Sequence, residues 1–301
     1  MSEITIIYKI GEIQQFRGPE DRKSGNSTDW RRVLIAWIIG CCLFPVDSFS
    51  QNLPFQSGEK LYYDISYKYG IVMMKAGTAR YRIDNAHFDH QPAILSALDF
   101  KTTSFFDKIY KIRDTLYSYS DVNLFPVYHK RHVNEGSTNY MERIFFLKRG
   151  DPETEARIKR ETKTTVKLDT TLVSEASGYD LLGIFAFARS LDYNSLELDQ
   201  LSTLSVFVGK RVINIIIRYK GQSIVEKSNT LKYNTFRLEI DIVDEAFESA
   251  KNAMEIWISN DQNRIPIKMK AKLRIGAAEV FLTSYENLKY PLSSEIRIKK
   301  K

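Results

Sequence analysis

Histidines are the first residues to test for chemistry, and the chain has four: His87, His90, His129 and His132. In His87-Phe88-Asp89-His90 a spacing of three puts the two rings on opposite faces of a strand. A shared metal there needs a turn, with Asp89 as a third ligand, and exposed loop histidines are the simpler reading. His129 and His132 have the same spacing and the same difficulty. Nucleophile motifs are missing: there is no Gly-x-Ser-x-Gly elbow, no His-Glu-x-x-His and no phosphate-binding glycine loop. Acids such as Asp241, Asp244 and Glu245 are numerous, and a glycosidase needs only two facing across a cleft. Spacing along a chain does not reveal such a pair, and solvated surface is the simpler account. The sequence therefore assigns no catalytic residue, no metal and no cofactor.

Binding chemistry is better represented. Lys268, Lys270, Lys272 and Arg274 alternate with Ile267, Met269, Ala271, Leu273 and Ile275, which puts a row of cations on one strand face. Arg157, Lys159, Lys163 and Lys167 repeat the pattern less purely. Such rows fit an anionic lipid or polysaccharide surface. At about 1 kcal/mol per cation, however, four reach only roughly millimolar binding, and a solvated face is the alternative. Aromatics crowd Tyr62, Tyr63, Tyr67 and Tyr69, then Phe100, Phe105, Phe106 and Tyr110. A barrel-like sheet turns some of these inward, so Tyr63, Tyr67, Phe185 and Trp257 are the candidate contacts to a lipid-like or otherwise apolar ligand. Plain core packing competes with that reading.

The elements that must position these residues are mostly strands. Period-two alternation begins at Leu61–Tyr69 and recurs over about Val72–Ile83, Ala93–Phe100, Tyr110–Ser120, Val127–Val133, Asn139–Leu147 and Ala156–Leu168. It resumes at Leu204–Val208 and continues to Tyr285. Turn residues such as Glu135-Gly136 and Asn260-Asp261-Gln262-Asn263 separate the runs. Strands so closely spaced favour antiparallel hairpins. The break contains one predicted helix, about Tyr179–Leu191, with Ser177 or Asp180 as its cap and an unbroken apolar or glycine run from Leu181 to Ala188. A helix apolar all round must be covered on all sides. The expected fold is mainly β: a curved antiparallel sheet, half-barrel or open barrel, wrapped around one buried helix. A two-sheet sandwich closed by the helix is the rival.

Arg31-Arg32 precede 14 uncharged residues, Val33 to Val46, and Ser48-Phe49-Ser50 follow. Positive flank, short apolar run and small residues read as a signal peptide, too short for a bilayer span of about 20 residues. The expected organisation is a leader extension over 1–30, a signal peptide over 31–50 and a single β-rich domain over 51–301. Ile38-Ile39-Gly40-Cys41 also resembles a lipoprotein box, and an uncleaved anchor is the third possibility. Both cysteines, Cys41 and Cys42, fall in this segment, so the exported part holds no disulfide or thiol nucleophile. It keeps 38 Lys+Arg against 31 Asp+Glu, a modest excess that permits attraction to anionic surfaces. Nucleic acid is a poor partner for an exported chain without a basic tract interleaved with aromatics.

Three passages carry a family resemblance: Phe55-Gln56-Ser57-Gly58-Glu59-Lys60-Leu61-Tyr62-Tyr63 leading to Lys75-Ala76-Gly77-Thr78-Ala79, then Asp180 to Arg189, then Ile256-Trp257-Ile258-Ser259-Asn260-Asp261-Gln262-Asn263-Arg264-Ile265-Pro266-Ile267 with Ile275-Gly276. The chain resembles the bacterial family called domain of unknown function 3108. The resemblance implies an exported envelope protein with a β-rich fold and no established activity, and it supplies no catalytic residues. The third passage reads physically as a polar turn, with Pro266 at a strand start and Asp261 and Arg264 placed to pair across it. The expectation is an exported, non-enzymatic protein of the periplasm, free or associated with the outer membrane, binding an apolar ligand or an envelope partner. An envelope hydrolase with converging acids and a structural part of an outer-membrane assembly are the alternatives.

Overall fold

A computed structural model describes residues 53–149, 153–243, 250–273 and 275–298. The expected leader and signal peptide, Asp244, Glu245 and Arg274 lie outside them. One twisted sheet of sixteen strands dominates. Its first half is a meander of β1 (Glu59–Tyr69), β2 (Val72–Phe88), β3 (Gln91–Thr102), β4 (Arg113–Ser120), β5 (Pro126–Glu135), β6 (Thr138–Lys148), β7 (Thr154–Glu161) and β8 (Val166–Ser174). Its second half runs β9 (Gly178–Tyr179), β10 (Leu201–Val208), β11 (Arg211–Ser228), β12 (Leu231–Val243), β13 (Ala250–Ser259), β14 (Pro266–Lys272) and β15 (Ala277–Glu286). Antiparallel pairing of β1 with β15 joins the halves, and β16 (Glu295–Arg297) adds to β12.

The two ends of this ribbon curl until they meet, which makes a nearly closed barrel. Side chains stitch the seam. Ser174 Oγ donates to Ser205 Oγ at 2.6 Å, and Thr154 Oγ1 accepts the Gly178 amide at 2.8 Å. Phe146 meets Phe207 edge to face, with centroids 5.6 Å apart. Gly178 is required by this close approach: a Cβ there lies 2.4 Å from the Phe207 ring and 2.9 Å from Thr154. With the inward face turned away from water, alternation becomes burial. In β4 Asp114, Leu116, Ser118 and Ser120 face in, while Arg113, Thr115, Tyr117 and Tyr119 face out.

Several expectations shift. The run Ala156–Leu168 is two strands, because Thr162–Thr165 turns back on itself: the Thr162 amide donates to Thr165 O at 2.9 Å. Between two expected strands, Phe105 and Phe106 sit in a short helix, α1 (Ser104–Asp107), whose first turn Thr103 caps. Asp89 and His90 form the two-residue turn between β2 and β3, at φ of 49° and 62°, the left-handed pair a type I′ hairpin needs.

The predicted helix is shorter than expected: α2 covers Gly183–Ser190 only. Gly178 and Tyr179 instead form a short strand parallel to β10, the one parallel pairing among the described residues. Asp180, rather than Ser177, holds the helix start, accepting the amides of Leu182 and Gly183 at 2.8 and 3.1 Å. The helix is not covered on every side. Leu182, Ala186 and Ala188 are buried, whereas Ile184, Phe185 and Phe187 are half-buried. A single fully enclosed rod is therefore corrected to two short helices, one of which lies within the barrel. No helix of the described residues is long and apolar enough to cross a membrane.

Candidate functional site

The barrel interior is divided. On one side, strands β1–β3 and β11–β15 turn aliphatic and aromatic residues inward, and α2 stops short of filling the space between them. A cavity of about 240 Å³ remains. Tyr63, Ala79, Tyr81 and Phe100 line one wall, Ile215, Ile240, Ile256, Met269 and Val280 the other, and Leu182, Phe185 and Ala188 the floor. The few polar lining groups point their polar atoms elsewhere. Tyr63 Oη donates to Pro266 O at 3.0 Å, and Tyr81 Oη pairs with Ser96 Oγ at 3.0 Å. Burial raises both phenols, Tyr81 to about 12, so each stays neutral. Lys251 and Lys272 stand exposed at the rim. The interior thus offers apolar surface and no spare hydrogen bond, with cations only at the mouth.

Arg189, at the end of α2, closes the base. It is fully buried, and Glu59 holds it through a two-point ion pair at 2.6 and 3.1 Å. Asn263 O accepts from it at 2.8 Å, and Phe55 lies under the guanidinium at 5.1 Å. Burial works against this charge, yet the neighbouring carboxylate raises the guanidinium above its ordinary value. The three passages quoted for the family resemblance meet at this knot: Phe55 and Glu59 from the first, Arg189 from the second, Asn263 from the third. Asn263 also donates its side-chain amide to Tyr290 O at 2.9 Å, which ties in the C-terminal segment.

The opposite side of the barrel, β4–β7, sets buried charge beside a small apolar cluster of Ile144, Phe146, Ala156 and Ile158. Arg131 donates to Asp114 at 2.7 Å and to Glu135 at 3.0 Å, all three being buried. Arg160 pairs with Glu142 at 3.0 Å and stacks over Tyr140. Burial lowers Arg160 to about 10, which leaves it charged at neutral pH. Asp180 accepts from Ser118 Oγ at 2.6 Å and faces His129 Nδ1 at 3.2 Å, poorly angled for a hydrogen bond. Burial alone raises the Asp180 carboxyl, but His129 and the donors around it outweigh that and hold it below the ordinary range. Serine, histidine and aspartate are thus together here, but Ser118 donates to the aspartate rather than to the histidine, so this is no nucleophile triad. No group of three or more metal-ligating side chains occurs among the described residues.

The expected contacts scatter. Tyr63 and Phe185 do line the cavity; Tyr67 and Trp257 do not. Tyr67 donates to Ile275 O at 3.0 Å near the rim. Trp257 faces outward, because its neighbours Ile256 and Ile258 take the inward phase, and it packs between Arg237 and Lys268. Of the cation row, Lys268 is paired with Glu279 at 3.0 Å, Lys270 is half-buried opposite that same Glu279, and Lys272 is exposed at the mouth. In the other row Arg157 and Lys159 pair with Asp169 and Glu161. Asp261 does not pair with Arg264: it accepts the amides of Asn263 and Arg264, while the Arg264 guanidinium donates to Leu191 O. His132 approaches Asn139 on the outside, and His87 and His90 are exposed. The buried ions were missed, although their signal was present. Glu59 shares the parity of Leu61 and Tyr63, and His129 and Arg131 that of Val133, so each is an ionisable side chain in an apolar phase.

The chain belongs to the family described as protein of unknown function DUF3108, whose model matches residues 62–283. Among solved structures it is similar to the crystal structure of a β-barrel-like protein of domain of unknown function DUF1849 from Brucella abortus. The identity is 11%, the TM-score 0.53, and the match covers 78% of this chain and 100% of that one. At that identity the likeness concerns the fold alone. No curated protein matches the sequence.

Proposed function

We propose that this member of the family is an exported, non-enzymatic envelope protein that holds the apolar part of an amphiphile inside its barrel. The carrying observation is the cavity beside α2, apolar throughout and without an unsatisfied polar group in its walls. A site of that kind rejects polar cargo, because each buried polar atom of a ligand loses its water without a replacement. Its 240 Å³ exceeds the roughly 150 Å³ apolar cavity that takes up benzene. It falls short of the ~300–1,000 Å³ that encloses a drug-sized ligand. A segment of one acyl chain fits, with the polar head left at the mouth, where Lys251 and Lys272 favour an anion. The hydrolase alternative finds little support: Glu59, Asp114, Glu135 and Glu142 are held by arginines, and Asp180 is occupied by His129, Ser118 and two amides.

Native mass spectrometry and lipid extraction on protein purified from its own envelope test this reading, together with calorimetric titration of palmitate. Co-purified lipid, or palmitate uptake with a negative heat-capacity change that Ala79→Phe abolishes, is the expected result. Empty protein that also ignores palmitate sinks it.

A further inference from the structure

We infer that one side of the barrel rim is a docking surface for an anionic phospholipid bilayer. Three tips adjoin there: the β1–β2 hairpin, α1 with the residues after it, and the β14–β15 turn. Tyr67 Oη, donating to Ile275 O at 3.0 Å, ties the turn to the hairpin, and the Thr103 amide, donating to Ala76 O at 2.9 Å, ties α1 to it. The tips present apolar side chains to water: Ile71 at 101% exposure, Ile109 at 69%, Ile275 at 62%, Phe105 at 57% and Met73 at 51%. Side chains of this kind grouped on adjacent projections mark an interaction site.

Charge decides what the site meets. Lys108, Lys111 and Lys272 are exposed among these tips. Among the described residues the nearby acids Asp64, Asp107 and Glu279 are each already engaged, by Lys75 at 2.7 Å, by Arg113 at 2.6 Å and by Lys268 at 3.0 Å. Protein interfaces deplete lysine at their centres. Apolar tips ringed by lysine fit the boundary between headgroups and acyl chains, where the tips enter and long cationic side chains reach anionic lipid. The same rim carries the mouth of the cavity, so docking brings that mouth to the bilayer. The inference stands on the tips and their charge and holds whether or not the cavity takes a ligand.

Vesicle flotation tests it, with pure phosphatidylcholine compared with vesicles containing about one-third phosphatidylglycerol. The protein is expected to float with the anionic vesicles only, and less so as salt rises. Ile71→Asp combined with Met73→Asp is expected to weaken flotation by about tenfold or more. Ile71 lies in solvent at the turn and Met73 is half-exposed at the start of β2, and unchanged circular dichroism separates lost docking from lost folding. Ile71→Trp supplies a second readout, a blue-shifted emission on adding the anionic vesicles. Ala79→Phe, which fills the cavity, is expected to float as the wild type does. Wild-type protein that stays down with anionic vesicles, or an Asp double variant that floats unimpaired, overturns the proposal, as does loss of flotation in Ala79→Phe.

Discussion

The two sides of the barrel solve the same packing problem in opposite ways. Strands β4–β7 turn Asp114, His129, Arg131, Glu135, Glu142 and Arg160 inward and set ion pairs among apolar residues such as Leu116, Ile144 and Ile158. Strands β1–β3 and β11–β15 turn aliphatics and aromatics inward and leave a cavity. Ion pairs are directional: each guanidinium must find its carboxylate at a fixed distance, so that side admits little rearrangement. Apolar walls have no such demand, and a gap between them costs dispersion contacts without stranding a polar group. The charged half is thus suited to fixing the shape of the barrel, and the apolar half to admitting something.

Substitutions at the buried ions give the largest expected effect on that contrast. Arg189→Met strands Glu59 in the base, and the loss should be about 3–5 kcal/mol in urea denaturation. Replacing both members, Glu59→Leu with Arg189→Met, should recover most of it. If the single and double variants are equally damaged, the base is held by packing and not by the pair.

Asp180→Asn comes next. It keeps the shape but weakens charge-assisted bonds to Ser118 and two amides, with an expected cost of about 1.5–3 kcal/mol at neutral pH. Because the folded carboxyl titrates below its ordinary value of 3.8, its contribution is complete above that value. It is lost as pH falls through the folded value. Wild-type stability should therefore drop more steeply on acidification below pH 4 than that of Asp180→Asn, as urea denaturation from pH 7 down to about pH 2 would record. Parallel curves would remove Asp180 from the acid response.

On the apolar side, Ala79→Phe should change stability by less than about 1.5 kcal/mol, since the added ring enters empty space rather than a packed wall. A loss of 3 kcal/mol or more in the same denaturation would mean that the cavity has no room for it. The smallest effect is expected outside the barrel. Lys268→Ala removes a partly buried ion pair with Glu279 on the outer face and a contact to Trp257, and should cost no more than about 1 kcal/mol.

The strands were legible because a sheet with one face inside writes a two-residue period into its sequence, as in Leu61–Tyr69. Their ends were less so: nothing in Ala156–Leu168 marks Thr162–Thr165 as a turn, since threonine suits a strand equally well. The helix was found but overdrawn. An apolar run has no preferred phase, and only pairing with β10 pulls Gly178 and Tyr179 into extended backbone. The cavity contacts were half legible. Tyr63 falls on the inward parity of its strand, whereas Trp257 lies on the outward parity of its own.

By itself, then, the sequence determined a mainly antiparallel β chain, its register of inside and outside, and the family to which its passages point. The first two rest on local period and turn chemistry, the third on the resemblance those passages carry. Tertiary structure alone decided that Glu59, Arg189 and Asn263 meet, and that Asp114, Glu135 and Arg131 neutralise one another. It also decided that a void is left beside α2. Those are meetings between residues up to 204 positions apart, and which ones occur depends on how far the sheet curls before its edges touch.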